Sequence, residues 1–461
     1  MRLENVVKMS NFNKRERTFA SLMLFLIGAF SMTQIRVGFS IGISEIFVYI
    51  SAPFLFLRNF ALLKRHGMLP IIYMGLAVSF ACVASGIYNH TPTFFIFKGL
   101  ASTYPLFAFV VVLHHLLNKN MNGHRWLYFG AACSMIINIF VFQTSFELDT
   151  YAGGVTNDAA TAIMGGPIFW IGRLKRFIEL PYVGWYFQTP LGYSLLAPIV
   201  LAVFSMMTSE SGRAAALGAL GGFFIVLICR KRRDRMEGFC RNFWGYFCVG
   251  MVLIVVATAA YKYAGEHGLL NEKATAKYEK QARGGGVLKL LMSGRSEVFI
   301  GAMAALDKPL IGHGPWAFDD GRYRQAFLEE YGDEEDYQFF LGAMQHRSRE
   351  GISYVNFIPA HSHIVSFWLW FGVIGLAYWL YVFYSIFRFL RKEITAVPQW
   401  FGILAMGAPS MLWSLFFSGF GYRISTMPFV VLLMMAHNVY KGRIQLPYYM
   451  VEEAYRQEHR R

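Results

Sequence analysis

Long apolar runs separated by short basic turns set the rhythm of this chain. Runs close to the ~20 residues needed to cross a bilayer fall at 18–35, 41–57, 69–87, 94–117 and 126–143. Others fall at 190–207, 214–229, 243–260, 364–387, 399–418 and 424–440. Their length, and the absence of period-two alternation, predict helices rather than strands. The polar turns predict orientation. Lys14, Arg15 and Arg17 precede the first run. Arg58, Lys64 and Arg65 follow the second, and "NKNMNGHR" follows the fourth. Basic residues mark cytoplasmic loops, so the N-terminus is expected inside.

Counting back from the other end, "KGR" at 441–443, "RFLRK" at 388–392 and "RKRRDR" at 230–235 belong to the same side. The two halves agree only if the chain crosses once more between 144 and 189. The Gly-rich stretch at 155–172 is the best candidate, with a re-entrant or interfacial helix as its rival. The expected fold class is therefore an all-α polytopic membrane protein of about twelve transmembrane helices, with both termini cytoplasmic. Residues 1–260 would hold helices one to nine and 364–461 the last three with a cytoplasmic tail. Residues 261–363 would form a large helical outer loop before the tenth. That loop is too long for a plain connector, and it holds helical patterns in "NEKATAKYEKQAR" and "SEVFIGAMAALDK". The first apolar run has a charged approach but no small-residue cleavage site, so an uncleaved helix is expected.

Composition narrows the class further. Hydrophobic residues make up 55% and charged residues 15% of the chain, and the mean hydropathy is +0.38. The formal charge of +15 fits basic loops that meet anionic lipid. No soluble basic domain exists to bind nucleic acid. Cys82, Cys133, Cys229, Cys240 and Cys248 lie in or beside apolar runs without a CxxC spacing, which argues against a zinc site.

Three features of the predicted outer side carry chemistry. Arg213 lies in "SESGR", at the head of a run of small residues that includes the Gly218/Gly222 spacing. An arginine there commonly just reaches to headgroups. Arg295 precedes the amphipathic "SEVFIGAMAALDK" and a "PLIGHG" turn; alone it would read as a surface residue near Glu297. His361 and His363 sit in "NFIPAHSHIVSFWLWFGVIG" at the lip of an apolar run. They lack a third ligand at metal-binding spacing, so no metal is expected. Taken together, two arginines suit a lipid-linked diphosphate, because the guanidinium fork matches phosphate oxygens. A histidine suits removal of a proton from an acceptor hydroxyl.

At these residues the sequence resembles the O-antigen ligases and the related O-antigen and exopolysaccharide polymerases. "SESGR" resembles their Ser-Arg turn. "SGRSEVFIGAMAALDKPLIGHGPWAF" resembles their Arg, helix and Pro-Leu-x-Gly-x-Gly segment. "PAHSHIVSFWLWFGVIGL" resembles their Ala-His motif followed by a helix and a Gly-(Leu/Val)-Ile-Gly. The resemblance covers about 210–380 and implies a GT-C-class membrane glycosyltransferase that works without metal or cofactor. Its donor would be an undecaprenyl-diphosphate-linked glycan at the outer face of the bacterial inner membrane. The implied reaction is inverting transfer to an acceptor hydroxyl on lipid A core or on a second lipid-linked repeat; a protein side chain is a third acceptor. Arg213 and Arg295 would contact the diphosphate. His361, in the family's place after alanine, would be the catalytic histidine. His363 is the alternative base or an acceptor-binding group. Ser362 stands where the ligases carry asparagine, which tilts the resemblance toward the polymerases.

The first outer turn, around Arg36 to Ser40, carries no carboxylate of the kind metal-using relatives place there, and "ELD" at 147–149 reads as structural. The alternative from another class is a multispan transporter or flippase of a lipid-linked or anionic substrate, and a membrane scaffold is a third reading. Transporters favour repeats and polar groups at the midplane, whereas the titratable groups here gather at one face. If helix begins just after Pro359, His361 and His363 point about 200° apart, and His363 shares a face with Phe367 and Trp370.

Overall fold

The computed structural model describes residues 14–30, 34–36, 40–127, 129–130, 241–268, 278, 296–318, 322–323, 325, 357–358, 360, 362–393, 396–397, 400–417 and 423–446. The expected spans at 155–172, 190–207 and 214–229 lie outside the described residues, as does most of 126–143. The regular structure described is helical apart from one short hairpin and one isolated bridge.

Helix α1 is Lys14–Ala29. Strands β1, Gln34–Arg36, and β2, Ser40–Gly42, then pair antiparallel. The first apolar run therefore ends in a hairpin rather than continuing as helix to residue 35. Helix α2, Ile43–Arg65, opens where the Glu45 carboxylate accepts the Gly42 N–H at 3.1 Å, which satisfies one of the free donors of a helix start. It runs past residue 57, so Arg58, Lys64 and Arg65 ride its last turns instead of a loop.

Helix α3 is Leu69–Tyr88. The single run expected at 94–117 appears as α4, Thr93–Thr103, and α5, Pro105–Lys119. The proline has no N–H to donate, so the hydrogen-bond ladder breaks at that point, while Tyr104 stays in helical conformation. Helix α6 is Phe243–Glu266 and α7 is Ser296–Asp307, the amphipathic stretch expected in the outer loop. Helix α8, His363–Arg388, passes into a π turn, Phe389–Glu393. Helices α9, Phe401–Phe417, and α10, Arg423–Tyr440, complete the order.

Four stretches among the described residues are long and apolar enough to cross a membrane: Ile43–Arg65, Leu69–Tyr88, Thr93–Lys119 and His363–Glu393. Large apolar side chains point outward along these stretches, among them Phe54, Leu57 and Phe80, each more than 70% exposed. That is the arrangement expected of lipid-facing surface. The core is built on α5, whose residues Leu106 to Leu113 are all nearly inaccessible. It packs against α2, α3 and α10.

The helix ends gather at two faces. At one, Asn438 donates to the Gly67 carbonyl at 3.4 Å, and the Trp400 indole donates to Met121 O at 3.0 Å. Lys119 pairs with Glu16 at 3.7 Å. Glu393, 1% exposed, holds His437 at 2.6 Å and Arg388 at 2.8 Å. The other face lies at the far end of α3, about 30 Å away for a helix of that length. There Ser85 and Asn89 meet the 308–314 turn.

The stretch expected to span at 364–387 is not one straight helix. Gly372 has φ 63° and ψ −152°, outside helical conformation. The rings of His363 and Trp379 lie 4.9 Å apart, whereas sixteen residues of straight helix would separate them by about 24 Å. A Cβ on Gly375 would sit 2.3 Å from the Phe367 carbonyl oxygen. The chain therefore folds back at Gly372. A short limb, 363–371, lies against the start of a longer limb, 373–388.

Candidate functional site

The fold-back exposes a problem that the surrounding sequence solves. A helix that stops at residue 371 leaves its last carbonyls without donors. The 308–314 turn supplies them. His313 N–H donates to Leu369 O at 2.7 Å and Gly314 N–H to Trp370 O at 3.2 Å. The Ser85 hydroxyl donates to Trp370 O as well, at 2.9 Å. In return Val373 N–H donates to Leu310 O at 3.2 Å, and the Trp368 indole N–H reaches Pro309 O at 3.1 Å.

Backbone meets backbone here, and that requires glycine. A Cβ on Gly312 would lie 2.6 Å from the Trp370 carbonyl carbon, and one on Gly372 would lie 2.0 Å from Leu310 O. Both residues also have positive φ, a conformation that side chains disfavour. The "PLIGHG" turn at 309–314 and the "GVIG" stretch at 372–375, far apart in sequence, are thus the two halves of one contact.

The start of the short limb is fixed as firmly. Ser362 is extended, with φ −150° and ψ 138°, and caps the helix by accepting Val365 N–H at 3.1 Å. Its hydroxyl donates to Leu415 O of α9 at 2.7 Å. Just upstream, Phe357 bridges Phe318, and Ile358 N–H donates to Ala317 O at 2.9 Å. Helix α7 packs on the short limb through Ile300, Ala304 and Leu369.

These contacts bear directly on the residues singled out from sequence. Arg213, Arg295 and His361 lie outside the described residues. Their immediate neighbours do not: Arg295 directly precedes α7, and His361 directly precedes the Ser362 cap. The structure therefore brings together the segment after Arg295 and the segment after His361. It places nothing of the Arg213 turn. The expectation that helix begins just after Pro359 is corrected, because the extended Ser362 delays it to His363. His363 is 3% exposed and sits edge-on to Trp379, as Phe367 does. Trp370 instead stacks on Trp316, with centroids 5.4 Å apart, so the face that sequence gave to all three side chains is divided between two neighbours.

Polar groups around the turn have ordered electrostatics. The His313 Nε2–H donates to Ala304 O at 2.7 Å. Burial lowers the pKa of His313 from its ordinary 6.5; the Ala304 hydrogen bond opposes the shift without cancelling it. Tyr323 donates to the Asp307 carboxylate at 2.6 Å, and Arg322 contacts both groups. Burial first, then the bond to Asp307, pushes the Tyr323 hydroxyl up to about 12.

Sequence reasoning passed over two features of this face. Lys98, half-buried in α4, places its ammonium 3.6 Å from the centre of the Trp316 ring, a cation–π contact. Trp316 has φ 56°, and such rarely adopted backbone concentrates at functional sites. The signal was a single lysine inside the apolar "FFIFKGLAS". The other feature is Asn89 with Ser85, which nothing in the local sequence distinguishes from ordinary helix-end polar residues.

Residues 197–380 match the family described as O-antigen ligase. No curated protein matches the chain.

Proposed function

Since residues 197–380 carry the O-antigen ligase family assignment, we propose that the chain is a membrane glycosyltransferase of the ligase and polymerase type, moving a glycan from undecaprenyl diphosphate to an acceptor hydroxyl. In this reading the hydroxyl oxygen attacks the anomeric carbon of the donor sugar. The bond from that carbon to the phosphate oxygen breaks, with inversion. Undecaprenyl diphosphate leaves with the electron pair, and His361 takes the hydroxyl proton. Arg213 and Arg295 hold the diphosphate and stabilise the charge that develops on it, so the scheme calls on no metal. The acceptor is lipid A core or a second lipid-linked repeat. His363, enclosed by Trp379, serves packing rather than proton transfer.

The observation that carries the reading is the meeting of two motif segments. The turn that follows α7 and the limb that follows His361 form one hydrogen-bonded unit. Basic side chains crowd the opposite face, at Lys64, Arg65, Lys119, Arg391, Lys392, Lys441 and Arg443. By the positive-inside rule that face is cytoplasmic. The candidate site then faces the periplasm, where a flipped lipid-linked donor would be.

A broken helix is also what the transporter reading would seek. Here, however, the carbonyls freed at the break already accept from His313, Gly314 and Ser85. The Leu369 and Trp370 carbonyls thus serve the contact with the turn, which favours a structural role for the break.

The test is transfer by purified, reconstituted protein supplied with a lipid-linked glycan. Wild type should release undecaprenyl diphosphate and form a new glycosidic bond. His361→Ala should abolish both while donor binding persists, and charge reversal at Arg213 or Arg295 should weaken donor binding first. Translocation of the donor without a new bond, or full transfer by His361→Ala, would refute the assignment.

A further inference from the structure

Helix α7 and the short limb of α8 share an arrangement that the family match does not describe. Each follows closely on a residue proposed to do chemistry: α7 starts right after Arg295, and the short limb starts after His361 and the Ser362 cap. Each ends at the same place. Lys308, one residue beyond α7, and the last carbonyls of the short limb meet at the end of α3, a helix outside the matched 197–380 segment.

Asn89 is the junction. Its amide Nδ2 donates to Gly312 O at 3.0 Å and to Ser85 O at 2.8 Å. Its Oδ1 accepts from Lys308 Nζ at 2.7 Å. Gly312 is in turn held against the Trp370 backbone, and Ser85 donates to Trp370 O. One side chain thus ties the exit of α7, the glycine turn and the end of the short limb to one point on α3.

We infer that Asn89 is a positioning residue for the glycosyl-transfer site, fixing the end of α7 relative to the end of the short limb, the two helices that follow Arg295 and His361 in the sequence. The inference rests on the transfer reading above. In this role Asn89 acts through its contacts with Ser85, Gly312 and Lys308 rather than on the donor or acceptor. Its effect follows from geometry, because two groups that act on one bond tolerate little displacement, and a misplacement of about 1 Å can cost on the order of a hundredfold in rate. Each arginine keeps its charge when the clamp loosens, so donor binding changes less than turnover.

The orientation of the amide makes a sharp test. Asn89→Asp keeps the shape and the Lys308 contact, but turns an oxygen toward two carbonyl oxygens. Asn89→Ala simply removes the groups. A residue that only fills space would be replaced better by Asp than by Ala. A clamp predicts the reverse order, Asn above Ala above Asp.

The experiment measures kcat and donor KM for the full-length protein in proteoliposomes, with His361→Ala alongside and thermal unfolding of each variant in detergent. The expected result is a kcat lowered about tenfold or more by Ala and further by Asp, with donor KM within about twofold of wild type. Ser85→Ala, which removes the donor to Trp370 O and a longer 3.3 Å contact with Asn89 Nδ2 but leaves the Gly312 and Lys308 bonds, should give a smaller loss of the same kind. Wild-type turnover in either Asn89 variant, or losses that merely track loss of folded protein, would overturn the positioning role while an inactive His361→Ala left the transfer reading standing. Full activity in His361→Ala would overturn both.

Discussion

Replacing Gly372 by alanine separates two descriptions of the last third of the chain with opposite signs. If 364–387 were the straight span that its hydropathy suggests, alanine would raise stability by about 0.5–1 kcal/mol through helix propensity. The fold-back predicts a loss. At φ 63° and ψ −152° the backbone is close to glycine-only territory, and holding another residue there costs about 1–3 kcal/mol. The new Cβ would also sit 2.0 Å from Leu310 O and 2.6 Å from Ile311 N. Both are backbone atoms, so the turn itself must move. That weakens the Val373-to-Leu310 bond and strains the His313-to-Leu369 bond beside it, each worth roughly 1 kcal/mol. The sum is about 3–5 kcal/mol of destabilisation. Thermal unfolding of purified protein in detergent reads it directly, as a Tm several degrees below wild type, and membrane abundance should fall in parallel. A Gly372→Ala protein with equal or higher Tm would refute the fold-back and, with it, the account of why the glycine turn exists.

Three further outcomes are expected. Cysteines at positions 363 and 379, in a background freed of the native thiols, should be joined by a short thiol crosslinker, since the rings they replace are 4.9 Å apart; no crosslink would favour a straight helix. Glu393→Ala should destabilise the protein by about 3–5 kcal/mol, because Arg388 loses its buried partner, and pairing it with Arg388→Met should recover most of the loss in Tm; equal damage in the single and double variants would remove the buried-charge explanation. The lowered pKa of His313 means that the unfolded chain binds a proton there more readily than the folded one. Its contribution to stability is therefore full above about 6.5 and declines as pH falls from there through the lower folded value. Wild type should lose more Tm between pH 7 and pH 5 than His313→Gln, and parallel pH profiles would contradict this.

How much of this was legible beforehand depends on the range of each interaction. Spans such as 69–87 were readable to within a residue or two because apolar length is a local property. Helix α7 and the turn that ends it at Pro309 were readable for the same reason. Local signals also misled. Arg58, Lys64 and Arg65 looked like a loop, yet charged residues can ride the last turns of a helix that leaves the bilayer. The 364–387 run looked continuous because hydropathy averages over Gly372 and cannot register a reversal in a uniformly apolar stretch.

The sequence by itself determined that the chain is an α-helical membrane protein, where most of its described helices lie, and which family its 197–380 segment resembles. Only the tertiary structure decided that the short limb after His363 folds back, that His363 is enclosed by Trp379, and that Ser85 and Asn89 serve the turn at 308–314. The reason is physical. Hydropathy and helix propensity are fixed by neighbours a few residues apart. A carbonyl freed at Trp370 must find a donor wherever the fold supplies one, and it finds Ser85, 285 positions away.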